Sequence, residues 1–372
     1  MTRVAIVGCG VVGAAIAYEL SLNPELTVLV FDASTPGTAS TSAALGILVA
    51  IISQKVKGRN WQLREQSWQR YQTLIPELEA TTGRSVRRNT EGLLDLCFEK
   101  DNLPRWESLQ KIRQDQGYPL EIWPPEKVAD SCPHLSIDNV AAGIFSPEDF
   151  QVNPVSLTEV LVQAATANGV EFHFHQPVVD FEAAGHGDAQ FCRKVITHQN
   201  IFEVDYVVLA SGLGTTPLTQ RLGQPTAIGP VLGQGLELRL DSTLGNPEFQ
   251  PVVNGDDIHV VPLGEGRYWI GATVEFPAET PTEAVLDLKP EAERLEEMRQ
   301  RAIAFCPALA QGRIVRQWFG LRPRPQGQAA PVIKPVDGYA NVWLATGHYR
   351  NGVLLAPATA LAIKTLIPET TG

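Results

Sequence analysis

The chain has 372 residues, of which 44% are hydrophobic and 19% are charged. This is an ordinary globular balance, and the length suits one two-lobed unit or two domains. Thirty basic and 41 acidic residues give a formal net charge of −11, which disfavours nucleic acid and anionic membrane surfaces as partners. A small anionic substrate is still compatible, because one buried Arg can oppose the overall field locally.

The cysteines favour reduced thiols and a cytoplasmic protein over a disulfide framework or a zinc site, since they are scattered, odd in number and without a CxxC pair. They are Cys9, Cys97, Cys132, Cys192 and Cys306. The N-terminus runs directly into an apolar strand and leaves no room for a signal peptide. No apolar run approaches the roughly 20 residues that span a bilayer. The His, Asp and Glu residues show no metal-ligand spacing, so we expect neither a membrane span nor a metal site.

Taken in chain order, the apolar patterning predicts α/β units at both ends of the chain with an antiparallel sheet between them. Strands are predicted at 4–7, 27–31, 92–98, 170–174, 205–210 and 342–346, with alternating strands within 231–276. A loop followed by a helix is predicted at 8–20, and further helices are predicted at 59–80, 104–117, 154–167, 290–305 and 353–367. Asn153-Pro154 and Asn168-Gly169 are start and stop signals for the helix at 154–167.

This order predicts an α/β protein with an α+β insert: a Rossmann-like nucleotide-binding domain that carries an antiparallel-sheet substrate domain. The nucleotide-binding domain, which the segments described below assign to FAD, is discontinuous and comprises residues 1–88, 141–230 and 331–372. The substrate domain comprises residues 89–140 and 231–330. Clefts between two such lobes are favoured ligand sites.

The N-terminal glycine-rich loop is the strongest motif. Gly8, Gly10 and Gly13 match G-x-G-x-x-G between a predicted strand and helix, and Asp32 closes the next strand. The helix N-terminus offers free N–H groups and a partial positive charge to a pyrophosphate. Asp32 can accept hydrogen bonds from ribose hydroxyls and would repel a 2′-phosphate, which disfavours NADP. A plain glycine turn is the alternative, and the motif leaves FAD and NAD both open.

Two further segments favour a flavin. The run at 38–48 consists largely of small, hydroxyl-bearing and glycine residues, which lets the main chain approach a flat polar ligand. The run at 347–352 places a second glycine loop and helix N-terminus at the far end of the chain. A reduced isoalloxazine carries negative charge near N1 and C2=O, which such a helix N-terminus can stabilise.

With these segments the sequence resembles the D-amino-acid-oxidase-like flavoproteins and, among them, the glycine oxidases that serve thiamine biosynthesis. The resemblance covers essentially the whole chain and includes the motifs at 207–214, 230–235, 320–325 and 347–357. It implies non-covalent FAD, since the C-terminal loop lacks a cysteine for covalent attachment. The implied cofactor-binding residues are Gly8, Gly10, Val11, Val12, Gly13, Asp32, Ala33, Thr41, Ser42, Ala43, Gly46, Ile47, Leu48, Val178, Ser211, Gly212, Gly347, His348, Tyr349, Arg350, Asn351, Gly352, Val353 and Leu354.

The resemblance also implies three substrate-binding residues. Arg322 of the Gly-Leu-Arg-Pro motif would hold the carboxylate, because a guanidinium can meet both oxygens. Arg350 is the second cation, with bracing of the glycine loop as its alternative role. His259 stands where glycine oxidases commonly have Tyr, and a packed strand histidine is its alternative role. A free imidazole titrates near pH 6.5, so a His259-dependent limb in the pH profile of kcat/KM is expected.

The resulting prediction is oxidative deamination of glycine or another small amino acid or amine. Hydride would pass from Cα to flavin N5, water would hydrolyse the imine, and O2 would reoxidise the flavin to give H2O2. No protein group is assigned as a catalytic acid or base. The alternatives are a D-amino acid or sarcosine dehydrogenase with a quinone or carrier acceptor, an NAD-linked dehydrogenase, and a non-catalytic flavin-binding partner. A homo-oligomer is compatible with the sequence.

Overall fold

A computed structural model of the protein describes residues 1–185, 189–276 and 289–368. Within them the strands are β1 Thr2–Val7, β2 Leu26–Phe31, β3 Ile47–Leu48, β4 Arg88–Asn89, β5 Leu93–Cys97, β6 Glu121–Trp123, β7 Ala142–Ser146, β8 Phe150–Val152, β9 Glu171–His173, β10 Val178–Ala184, β11 Phe191–Thr197, β12 Ile201–Glu203, β13 Tyr206–Leu209, β14 Ile228–Arg239, β15 Val252–Gly255, β16 Ile258–Gly264, β17 Arg267–Gly271, β18 Arg313–Pro325, β19 Val332–Pro335 and β20 Val342–Thr346. The helices are α1 Val11–Ser21, α2 Gly58–Thr82, α3 Leu103–Asp115, α4 Pro125–Ser131, α5 Pro154–Ala167, α6 Thr215–Arg221, α7 Ala292–Phe305 and α8 Gly352–Leu366.

The first large sheet has the strand order β19-β20-β13-β1-β2-β9. From β20 to β9 all neighbours are parallel, and β19 adds an antiparallel edge. Its inner strands are continuous apolar runs, as expected where both faces of a parallel sheet are covered. Helix α1 is buried along nearly its whole length and packs against α5 and α8. The predicted Rossmann-like fold is therefore confirmed, and one sheet unites both ends of the chain.

The second large sheet has eight strands in the order β18-β14-β17-β16-β15-β5-β7-β6. Helix α7 covers part of it with Leu295, Met298, Ala302 and Phe305, which recur at helical spacing and are all buried. The predicted antiparallel pairing holds with one exception: β5 and β15 are parallel. These two strands lie far apart in the chain, so no hairpin imposes an antiparallel pairing on them.

Two three-stranded sheets complete the described strands. One has the order β3-β8-β4 and lies beside the start of α5, and the other has the order β10-β11-β12. The strands β10 to β12 were not predicted from the sequence. They are partly exposed on both faces, so their hydrophobic alternation is weak.

Strand pairing shows where the chain passes between the two large sheets. The eight-stranded sheet already includes strand β7, at 142–146, which pairs with β5. It also includes the first residues of β14, from Ile228, which pair with β18. The predicted domain boundaries lie at 141 and 231, so they differ from these crossing points by a few residues. We keep the two-domain division as a proposal. The predicted domain ranges also contain residues 186–188, 277–288 and 369–372, which lie outside the described residues.

Helix α5 begins and ends where the sequence predicts. The Asn153 side chain accepts a hydrogen bond from the backbone N–H of Ser156 at 2.9 Å, and Pro154 occupies the first helical position. The helix ends at Ala167, directly before Asn168-Gly169. Across the described ranges, none of the helices combines the length and apolarity that crossing a bilayer requires.

Candidate active site

A long cavity of 1220 Å³ lies between the two large sheets. Its walls include the carboxyl ends of the parallel strands β1, β2, β13 and β20, which are the usual ligand side of such a sheet. The opposite wall includes residues of β5, β15, β16 and β18 from the second sheet. The volume exceeds the ~300–1,000 Å³ of a pocket for one drug-sized ligand. The cavity therefore has room for a long ligand and a small one beside it.

The glycine-rich loop opens one end of this cavity. Gly8 has a φ of 105°, and a Cβ there would overlap the backbone of Ala210. A Cβ on Gly13 would overlap the carbonyl oxygen of Gly8, so glycine is required for α1 to pack this closely on the loop. Thr41 Oγ1 accepts a hydrogen bond from the N–H of Val11 at 3.1 Å, which fixes the start of the helix. The result is a cradle of backbone groups at a helix N-terminus.

Asp32 lies beside this cradle at the end of β2. Its Oδ2 accepts a hydrogen bond from the N–H of Cys9 at 2.6 Å, and its Oδ1 accepts one from the N–H of Ser34 at 2.8 Å. A carboxylate has about four acceptor sites, so two remain for a ligand. The carboxylate is thus held in place and can accept hydrogen bonds from neighbouring hydroxyl groups.

The turn of small residues that precedes β3 is attached to β18. Ser40 Oγ donates a hydrogen bond to the carbonyl of Leu321 at 2.6 Å, and Trp318 Nε1 donates one to the carbonyl of Ala43 at 3.1 Å. A Cβ on Gly320 would overlap the Ala43 side chain, so the turn can lie against β18 only because Gly320 is small. These contacts hold the backbone of the turn at the cavity wall, between the two sheets.

The C-terminal glycine loop is anchored by its own side chains. His348 is buried, and its Nε2 lies 2.8 Å from Thr359 Oγ1 of α8. Burial, with a smaller effect from nearby Arg59, lowers the pKa of His348 to about 3, so the ring is neutral around pH 7. Asn351 Oδ1 accepts a hydrogen bond from Arg64 Nη2 at 3.3 Å. His348 therefore fixes the loop to α8, and Arg64 of α2 orients Asn351.

Most predicted cofactor residues line the cavity, from three separated parts of the chain. They are Gly8, Gly10, Val11, Val12, Asp32, Ala33, Thr41, Ser42, Ala43, Gly46, Ile47, Val178, Ser211, Gly212, Gly347, His348, Tyr349, Arg350, Asn351, Gly352, Val353 and Leu354. Gly13 and Leu48 are not on the cavity wall. Gly13 packs against Gly8, and Leu48 is fully buried in the core of the Rossmann-like domain.

Arg322 of β18 and Arg350 of the C-terminal glycine loop bring two positive charges to the cavity wall. Arg322 Nη1 donates a hydrogen bond to the carbonyl of Leu232 at 3.1 Å, and no carboxylate of the described residues lies within 4.0 Å of its guanidinium. Burial, and then Arg350, lowers the pKa of Arg322. Arg350 Nη2 lies 3.6 Å from Asp257 Oδ1. An anion between the two guanidinium groups would relieve their repulsion.

His259 lines the same region but differs from its predicted behaviour. It lies half-buried on β16. Burial, and then Arg350, lowers its pKa to about 4. The expected titration near pH 6.5 is therefore wrong, because a desolvated imidazole beside a guanidinium resists protonation. His259 presents a neutral ring to the cavity throughout the physiological pH range.

Several polar residues of the cavity were not predicted from the sequence. Asp95 of β5, Asn254 of β15 and Asp257 lie on the wall near His259, and Arg64 lies near the C-terminal loop. One signal was available for Asp95, since it interrupts an otherwise apolar strand pattern at 93–97. A charged residue inside a buried strand requires a partner or a function.

Comparison with known proteins identifies the family. Residues 3–366 match the family described as DAO, FAD dependent oxidoreductase. The chain belongs to this family. This oxidoreductase is 30% identical to the glycine oxidase of Bacillus subtilis over 362 residues, which cover 97% of this chain and 92% of that relative. It is 33% identical to the bifunctional protein ThiO/ThiG of Synechocystis sp. over 98% of this chain and 51% of that protein.

Solved structures agree with this assignment. The crystal structure of glycine oxidase from Geobacillus kaustophilus superposes with a TM-score of 0.84 and 27% sequence identity, covering 100% of this chain and 96% of that chain. That of L-proline dehydrogenase from P. horikoshii superposes with a TM-score of 0.81 at 21% identity, which shows the shared fold. The resemblance stated from the sequence is confirmed.

The residues present fit the FAD that the family requires. The glycine-rich loop leaves no space for a Cβ at Gly8 or Gly13, and Asp32 keeps free acceptor capacity beside it. The cavity then continues past the small-residue turn to the C-terminal glycine loop. The enzyme is therefore an FAD-dependent oxidoreductase, and the NAD-linked alternative is wrong.

Proposed function

We propose that this enzyme catalyses the oxidative deamination of glycine or another small amino acid or amine. The observation that carries the proposal is Arg322, a largely buried guanidinium at the cavity wall without a carboxylate partner among the described residues. A buried charge is costly unless it is paired, so the site is built to receive an anion. The carboxylate of an amino acid is such an anion, and Arg350 supplies a second cation beside it.

Each predicted residue has a role in this proposal. Arg322 and Arg350 hold the substrate carboxylate and thereby orient Cα toward the C-terminal glycine loop. The predicted cofactor residues that line the cavity hold FAD along it, with Asp32 on the ribose. When bound, FAD supplies the acceptor for the hydride that leaves Cα. The protein contributes orientation and charge rather than covalent chemistry.

We do not assign the removal of the substrate amine proton to either histidine near the site. The pKa of His259 is about 4 and that of His348 is about 3, so both are weak bases near pH 7. The substrate amine therefore loses its proton to solvent before the reaction, and the rate should rise with pH as the neutral amine becomes more abundant.

The names of the relatives support the choice of substrate. Several full-length relatives are glycine oxidases, including those of Bacillus subtilis and Geobacillus kaustophilus. We further propose a role in thiamine biosynthesis, with O2 as acceptor, and a cytoplasmic location, which the scattered cysteines favour. A homo-oligomer is compatible with this proposal. A D-amino acid or sarcosine dehydrogenase with a quinone or carrier acceptor is the alternative within the same chemistry.

The absorption spectrum of the purified flavoprotein tests this function. Anaerobic glycine should bleach the flavin band of the wild type, and admission of air should restore the band with formation of H2O2. Arg322→Ala should retain the oxidised flavin spectrum but require a far higher glycine concentration for bleaching. Bleaching that air does not reverse, but that a quinone does, would select the dehydrogenase. No bleaching by glycine, sarcosine or any small amino acid would contradict the proposed function.

A further inference from the structure

Three polar residues form a row across neighbouring strands of the eight-stranded sheet. Asp95 of β5 is paired in register with Asn254 of β15, and Asn254 is paired with His259 of β16. Residues directly opposite each other on paired strands present their side chains on the same face. All three residues line the cavity. The row therefore faces the cavity, and its member His259 lies near Arg350 of the substrate region.

The contacts within this row leave acceptors unused. Asn254 Nδ2 donates a hydrogen bond to Asp95 Oδ2 at 2.8 Å. The amide oxygen of Asn254 is buried and has no hydrogen-bond partner in the part of the chain that the structure describes. Within the same part of the chain, no cationic side chain lies within 4.0 Å of Asp95. The Asp95 carboxylate thus has the Asn254 amide as a donor but no cation beside it, and the amide oxygen of Asn254 has no donor among the described residues.

The neighbouring charged groups do not provide a cation for Asp95. Asp257 is the acidic residue that pairs with Arg350, and it repels Asp95. Burial, partly offset by Asn254, raises the pKa of Asp95 to about 6, so the carboxylate is largely ionised at pH 7.5. His259 is neutral in that range and cannot supply a positive charge. The substrate side of the cavity therefore has the cations Arg322 and Arg350 and also, in Asp95, an acid without a cation within 4.0 Å among the described residues.

Resting on the proposed function, we propose that Asp95 and Asn254 form a second recognition point, and that the preferred substrate is an amino acid whose side chain ends in a positively charged nitrogen. The carboxylate of this substrate binds to the guanidinium groups of Arg322 and Arg350. The terminal ammonium group of the substrate donates hydrogen bonds to Asp95 and to the free oxygen of Asn254. Glycine has no group left for Asp95, because its carboxylate and amine are both engaged at the reacting end.

A site whose buried polar groups are satisfied only by one substrate rejects analogues that lack the matching group, because those analogues leave the site unpaired. Charge-assisted hydrogen bonds are the stronger class of such contacts. The row therefore discriminates between a basic side chain and an apolar one of the same length.

Ornithine and norvaline test this discrimination, since they differ by the terminal amine alone. The kcat/KM of each, in both enantiomeric forms, is measured by flavin reduction for the wild type and for Asp95→Asn. The wild type should favour ornithine over norvaline by tenfold or more, and Asp95→Asn should bring the ratio close to one by lowering kcat/KM for ornithine more than for norvaline. Asp241→Asn, an exposed acid outside the cavity, is the matched control and should keep the wild-type ratio.

The outcomes separate this inference from the proposed function. A wild type that oxidises glycine but does not prefer ornithine to norvaline overturns the second recognition point and leaves the proposed function intact. A preference that persists in Asp95→Asn also overturns it. No flavin reduction by any amino acid overturns the proposed function itself. FAD content and thermal unfolding show whether Asp95→Asn is folded. If it is not folded, the ratio of kcat/KM for ornithine to that for norvaline in the wild type decides whether the second recognition point exists.

Discussion

Replacing Gly233 by Ala should displace the guanidinium of Arg322, the proposed partner of the substrate carboxylate, without unfolding the protein. Gly233 lies on β14, and its φ is not in the left-handed region. A Cβ there would lie closer than 3.0 Å to Cζ, Nη1 and Nη2 of Arg322, whereas ordinary contact begins at 3.4 Å. The guanidinium is the end of a flexible side chain, so it can retreat by about 1 Å while the backbone stays in place.

The expected magnitude follows from this displacement. A misplacement of about 1 Å at a substrate-positioning group can cost roughly 100-fold in rate, and losing a desolvated charge pair costs about 2–5 kcal/mol. We therefore expect kcat/KM for glycine to fall by about 10- to 100-fold in Gly233→Ala, mainly through KM. The free energy of unfolding should change by less than about 1 kcal/mol, because Ala restricts the unfolded chain more than Gly.

A double-mutant cycle on flavin reduction checks the mechanism. Wild type, Gly233→Ala, Arg322→Ala and the double variant are compared at several glycine concentrations, with FAD content and thermal unfolding as controls. If the new methyl group acts through Arg322, the double variant should be no worse than Arg322→Ala alone. Two results would refute the role of Arg322 as the group that binds the substrate carboxylate. One is a wild-type KM in Gly233→Ala, and the other is full additivity of the two decreases in kcat/KM in the double variant.

Three further predictions concern the cofactor and the histidine. FAD should leave the protein on acid precipitation, because none of the five cysteines lines the cavity; yellow colour retained in the pellet would mean a covalent bond. Asp32→Ala should weaken FAD retention by about 1.5–3 kcal/mol, measured by titration of stripped protein, since it removes charge-assisted hydrogen bonds. His259→Tyr should leave the shape of the kcat/KM profile unchanged between pH 5.5 and 9, because the imidazole with a pKa of about 4 is already neutral there. A limb near pH 6.5 that disappears in this variant would show that the native imidazole titrates.

The cofactor side of the site could be predicted because its signals are local. Only neighbouring residues are needed to interpret the spacing of Gly8, Gly10 and Gly13 between a strand and a helix. Asp32 follows directly after the next strand. The C-terminal glycine loop is likewise a continuous segment. Both segments line the cavity as a local pattern implies.

The substrate side was predicted less completely because its residues meet through long-range pairing. Asp95 and Asn254 are 159 residues apart and become neighbours only through the parallel pairing of β5 and β15. No hydrophobic period encodes that pairing. The pKa of His259 depends on burial and on Arg350, which are properties of the folded cavity.

The continuity of the six-stranded sheet has a consequence for biosynthesis. Val4 of β1 pairs with Tyr206 of β13, roughly 200 residues later, and Val207 pairs with Val342 of β20. Such high contact order makes folding slow, and the first strand leaves the ribosome long before its partner β13 exists. A nascent chain that ends before Gly347 lacks one wall of the cofactor site. We therefore expect FAD to load after translation is complete, and the apolar β1–α1 segment to depend on chaperones until then.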